Sequence, residues 1–181
     1  MTPETKFRGL ESRAMGHLTR PLEAVEFVDR FQASVLVLIW RYPAFGPYQS
    51  WSLIKDYADR KEHRIVRRTT WERSIDCQRA ADPLKQAAFM IDPDPAPTIE
   101  VLNVRVDAGF AARFVERLGE LAVPSLIASG GIGVDGIVNG IETQHGQVHV
   151  EWWCDGPPAW RVLTEEVERL RLDLDAAVMA R

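Results

Sequence analysis

The stretch GIGVDGIVNGIETQHGQVHVEWW, Gly131 to Trp153, decides the fold, because it opens on the spacing G-x-G-x-x-G and continues as β-rich runs. A dinucleotide site needs a strand entering the glycine loop and a helix leaving it, so that free N–H groups at the helix N-terminus face the pyrophosphate. Neither flank fits. Upstream lie a helical pattern and Pro124, and Ser125 to Ala128 is poorly suited to a buried first strand; downstream, Gly140 and His145-Gly146 interrupt the β-rich runs. The expectation is therefore a β-hairpin, with glycines that supply positive φ or close packing, and no nucleotide cofactor. A two-residue turn at His145-Gly146 pairs Gln144 with Gln147, Thr143 with Val148, Glu142 with His149 and Ile141 with Val150. Ile141, Val148, Val150 and Trp152 then share the buried face, and Glu142, His149, Glu151 and Trp153 the opposite one.

Working outward, Ala108 to Val123 places Phe110, Phe114, Val115, Leu118 and Leu121 on one helical stripe, with Asp107 as a cap. Thr98 to Val106 alternates as a strand does. Before it, IDPDPAP, Ile91 to Pro97, excludes regular structure and reads as a linker. On the C-terminal side, Asp155 or Gly156 caps a long helix whose first turn is pre-set by Pro157 and Pro158, with Val167, Leu170, Leu174 and Val178 at helical spacing. In the N-terminal half, Ala33 to Tyr42 is short, continuous and β-branched, a strand buried on both faces. Arg64 to Trp71 has strand propensity. Thr19 or Arg20 near the cap, Pro21 and Glu23 predict a helix over 21–31, and Trp51, Ile54, Tyr57 and Ala58 predict another from Ser50 to Glu62. Glu72 to Phe89 leaves helix and irregular structure open. The fold class is α+β: a mainly antiparallel sheet of about five strands near 34–42, 64–71, 98–106, 137–143 and 147–153. About four helices pack it, near 21–31, 50–62, 108–122 and 158–178. Residues 1–181 read as one domain, with a division at 91–97 into 1–90 and 98–181 as the alternative.

Composition places the chain among ordinary globular proteins: 181 residues, 46% hydrophobic, 27% charged, net charge −4. Cys77 and Cys154 have no partner at ligand spacing, so they read as free thiols in a reducing compartment. The first residues, MTPETKFRGLESR, lack the apolar core of a secretory signal, and the longest apolar run, Val35 to Trp40, is too short to cross a bilayer. The expected location is cytoplasmic, with no membrane partner. Lys55 to Arg73 holds seven Lys or Arg, but four acidic residues are interleaved with them, which suits a solvated face and speaks against nucleic acid.

Pro97 to Leu174 runs as a strand, a helix, a VP turn, a glycine-rich segment, a hairpin ending in Trp152-Trp153, then Gly156-Pro157 and Trp160 opening an amphipathic helix. With Asp135-Gly136 in the turn, this order resembles uncharacterised bacterial cytoplasmic α+β proteins whose second half has a DG turn, a WW strand end and a GPxxW helix start. The resemblance covers a little under half the chain. It implies an α+β fold and bacterial origin and carries over no catalytic residue; in size and style such proteins are similar to toxin-neutralising immunity proteins.

No Ser-His-Asp order, nucleophile elbow, HExxH or P-loop is present. The expected function is therefore that of a non-catalytic protein acting through a protein–protein interface, of the immunity type that neutralises a cognate toxin. Glu142 to Asp175 holds eight acidic residues against three Arg, so a basic toxin domain is the partner its charge would steer. Glu165, Glu166 and Glu168 are the steering charges, and Trp153, Phe45 and Tyr48 the aromatic anchors. One alternative is an enzyme or a small-ligand or metal binder on the Glu142, His149 and Glu151 face, which otherwise reads as a solvated sheet face with a cross-strand pair. Another is a structural subunit of a larger assembly. No cofactor and no metal are expected.

Overall fold

The computed structural model describes residues 2–22, 33–58, 61–123, 135–144 and 148–180. The N-terminal helix α1 (Pro3–Thr19) starts where the Thr2 hydroxyl accepts a hydrogen bond from the Thr5 N–H and Pro3 occupies the first turn. Leu10, Ala14 and Leu18, one helical turn apart, form its fully buried stripe. Thr19 closes this helix, its hydroxyl donating to the Met15 carbonyl at 2.8 Å. The helix expected over 21–31 falls largely outside the described residues.

Strands β1 (Ser34–Pro43), β2 (Tyr48–Ala58) and β3 (Lys61–Trp71) follow as an antiparallel meander. Helices α2 (Arg73–Ala81) and α3 (Pro83–Ile91) occupy most of the stretch between Glu72 and Ile91, each about two turns long. Then come β4 (Ile99–Val106), α4 (Ala108–Gly119), β5 (Ile137–Thr143), β6 (His149–Trp153) and α5 (Arg161–Met179), the last entered through a 3-10 turn at Pro158–Trp160. The described residues thus form a six-stranded antiparallel sheet, in the order β4-β3-β2-β1-β5-β6, and five α-helices. The α+β class is as the sequence indicated. Among the described residues, no helix is long and apolar enough to cross a membrane.

The additional strand is β2, in place of the helix expected from Ser50 to Glu62. It lies between β1 and β3, so both of its edges are paired, and both of its faces are buried: Trp51 and Leu53 on one, Ser50, Ser52 and Ile54 on the other. Apolar residues at both parities erase the alternation of period two and leave a false helical spacing. Burial, not intrinsic propensity, sets the outcome there.

One face of the sheet carries the main core. Val37 and Ile39 of β1, Trp51 and Leu53 of β2, Val66, Ile141, Val150 and Trp152 pack against Leu163, Val167, Leu170, Leu174 and Val178 of α5 and Phe114 of α4. On the opposite face, α1 and α3 pack Leu10, Ala14, Leu18 and Phe89 around Trp71. Asp107 caps α4 as expected, its carboxylate accepting from the Phe110 N–H at 2.8 Å. Asp155 and Gly156 do not cap α5: Gly156 (φ 74) lies in the turn after β6, and Trp160 stands at the N-cap of α5 with no side-chain cap hydrogen bond. Pro157 and Pro158 have no N–H to satisfy, which lowers the need for one.

The proline-rich segment 91–97 has no regular structure and is tied down from both sides. Arg13 of α1 donates to the Pro95 carbonyl and pairs with Asp94 at 2.9 Å, and Arg79 of α2 donates to the Ala96 carbonyl. β3 pairs with β4 across it, so the strands before and after the segment share one sheet.

Candidate functional sites

The hairpin adopts the register expected from its turn: Ile141 faces Val150, Glu142 faces His149, and the Thr143 N–H donates to the Val148 carbonyl. This puts Glu142, His149, Glu151 and Trp153 on one face. His149 Nδ1 lies 3.0 Å from a Glu142 carboxylate oxygen, both side chains being exposed. Glu151 makes no hydrogen bond or ion pair with a described residue, so the three groups do not converge on a point. Among the described residues, no three His, Cys, Asp or Glu side chains are placed to hold a metal ion.

Beneath this polar layer runs a row of rings. The His149 ring lies 5.2 Å from Trp40; Trp40 stacks towards Tyr42, Tyr42 on Tyr48 at 5.0 Å, and Tyr48 meets the edge of Trp71. Burial, with the charge of Glu151 and neighbouring Tyr48, pushes the Tyr42 phenol well above its ordinary range, so it stays neutral. Two glycines make room for the aromatics. A Cβ at Gly140 would lie 2.1 Å from the Trp40 ring, and one at Gly136 would lie 2.5 Å from Trp153. Gly136, the last glycine of the nucleotide-like spacing, thus leads into β5 and seats a tryptophan, with no helix following it. Gly131 and Gly133 lie outside the described residues.

The acidic residues of α5 are paired within the chain. Glu165 accepts from Arg161 at 2.8 Å, Glu166 from Arg117 at 2.6 Å and Arg169 at 2.9 Å, and Glu168 from Arg171 at 2.7 Å. Arg117 of α4 is the main reason the Glu166 carboxyl is held below the usual carboxylate range, and Arg161 does the same for Glu165. Between the first half of α5 and strands β1, β5 and β6 runs an open groove of about 870 Å³ with Ile39, Ile137 and Trp152 in its lining.

Phe45 projects from the loop between β1 and β2 and is 81% exposed. Pro43 and Pro47 stiffen this loop, and the Ala44 N–H ties it to the Gly136 carbonyl at 2.7 Å. Tyr48, by contrast, is half-buried between Tyr42 and Trp71, with Arg73 over its ring. Trp153 is half-buried over Gly136.

Sequence reasoning missed an exposed apolar stripe, which lies on α3. Leu84 is 91% and Ile91 83% exposed, seven residues apart on one stripe, with exposed Ala87 and Ala88 between them. The opposite side of α3 is anchored: Phe89 is buried, and the Lys6 ammonium donates to the Met90 and Asp92 carbonyls at the helix C-terminus. Asp82 caps the other end, accepting from the Leu84 N–H. In LKQAAFMI, apart from Lys85 and Gln86, apolar residues run around most of the helix, a pattern that gives little direction; only the partnered side distinguishes core from surface.

Comparison of the chain with protein-family models, with curated proteins and with solved structures found no match.

Proposed function

We propose that this chain works without chemistry of its own, through a protein–protein interface centred on the outer stripe of α3. The near-complete exposure of Leu84 and Ile91 on one side of a helix fixed at both ends carries this reading. Burying each side chain against a partner would yield about 1.5–3 kcal/mol. Ala87 and Ala88 let a partner approach the helix backbone closely, and a pre-ordered helix loses little entropy on binding. Phe45 supplies a second exposed anchor, with the half-buried Tyr48 and Trp153 as lesser ones. The likeness to immunity proteins suggests a cognate toxin as the partner, and the net charge of −4 favours a basic one.

Photo-crosslinkers placed at positions 84 and 91 in the native host should capture one and the same protein, and Ile91→Asp should abolish capture at position 84 while leaving the thermal midpoint unchanged. Val101, on β4, serves as the control position. The second reading, an enzyme or ligand binder, is supported by the 3.0 Å His149–Glu142 contact on the aromatic floor. Turnover of a small metabolite by the purified chain, lost in His149→Ala, would replace the interface reading with that one.

A further inference from the structure

We infer that the groove beside α5 is a binding site for a small organic carboxylate with an apolar body, and that Arg41 is its anion anchor. Arg41 is half-buried near the end of β1, between Gln49 of β2 and Asn139 of β5 in the sheet register. It lines the groove, yet its guanidinium makes no hydrogen bond, ion pair or ring contact with any other residue described. The other three arginines of the groove wall are all engaged: Arg161 with Glu165, Arg169 with Glu166, and Arg171 with Glu168 and over the Trp51 ring at 4.8 Å. Asp155, the remaining carboxylate of the lining, is exposed and forms no ion pair with Arg41. A half-buried arginine left uncompensated among neighbours that are paired is a group whose counter-charge arrives with a ligand.

The surroundings narrow the ligand class. One guanidinium fork matches one carboxylate in bidentate geometry. A phosphate dianion would meet Glu165 and Glu168 across the groove with no second free cation among the lining residues to offset them. Ile39, Ile137 and Trp152 offer an apolar wall, and about 870 Å³ is the size of a small-molecule site rather than of a slot for one inserted side chain. This site lies on α5 and the sheet, so it stands or falls independently of the α3 interface.

The test is titration of the full chain with hexanoate, hexan-1-ol and hexyl phosphate, followed by isoleucine methyl shifts in NMR at Ile39 and Ile137. Saturable hexanoate binding is expected, at least tenfold tighter than hexan-1-ol and tighter than hexyl phosphate. Arg41→Gln should weaken hexanoate at least tenfold and leave hexan-1-ol unchanged; Arg41→Lys, which keeps the charge and loses the fork, should fall between. Should Arg41→Gln not fold, Arg41→Lys alone decides: unchanged affinity overturns the assignment. So would absence of saturable hexanoate binding, equal binding of hexan-1-ol, or preference for the phosphate.

Discussion

A methyl group at Gly140 would sit 2.1 Å from the Trp40 ring, which is itself 95% buried and wedged between Tyr42 and His149. Gly140→Ala should therefore cost about 1–3 kcal/mol in urea unfolding, as overpacking does, and Trp40→Leu in the same chain should recover part of the loss because it removes the clashing ring. Asp76 poses the opposite problem, a fully buried carboxylate. Burial pushes its pKa up, but hydrogen bonds from the Thr98 N–H and hydroxyl, the Trp71 indole and Arg79 together hold it below the ordinary 3.8. A carboxyl lowered in this way adds stability above its unfolded pKa and loses it as pH falls through the folded one. The chain should lose stability below about pH 4, and Asp76→Asn should flatten that loss while costing about 3 kcal/mol at neutral pH. Sequence reading foresaw neither role: Gly140 looked like a strand interruption, and the partners of Asp76 come from β3, α2 and the approach to β4.

Elements with a single buried side were legible. The α5 stripe, the Asp107 cap, the hairpin register and most of the α4 stripe follow from spacing, because each of these pieces has one apolar face and one wet face; Val115, expected on the α4 stripe, is exposed instead. Elements buried on both sides, or exposed where apolar, were not: β2 lost its alternation, and α3 gave no sign of which side would remain uncovered. The polar hairpin face was drawn correctly, but its aromatic floor comes from β1, β2 and β3, whose neighbours only the assembled sheet defines. The stripe on α5 also makes a quantitative test. Leu174 is fully buried against the sheet, so Leu174→Ala should lower unfolding free energy by about 2–5 kcal/mol in chemical denaturation. Hydrogen exchange should show α5 losing protection before the sheet.

At the scale of the whole molecule, the strands before the proline-rich segment depend on helices after it. β1, β2 and β3 have their main core face covered by α4 and α5, and β1 pairs on one edge with β5. Fragments 1–90 and 98–181, expressed separately, should each lack a cooperative thermal transition, and mixing them should restore one with native-like near-UV circular dichroism; a sharp transition in either fragment alone would instead support the two-unit division. The place of β1 also bears on how the protein is made. Its second neighbour is translated roughly a hundred residues after it, which is about 5–20 s at ordinary elongation rates. Throughout that interval the emerging chain presents a long, apolar, unpaired strand edge, the template on which aggregation begins. Yield in cells should accordingly depend on nascent-chain chaperones and on translation speed through residues 44–136, even for variants whose finished fold is fully stable.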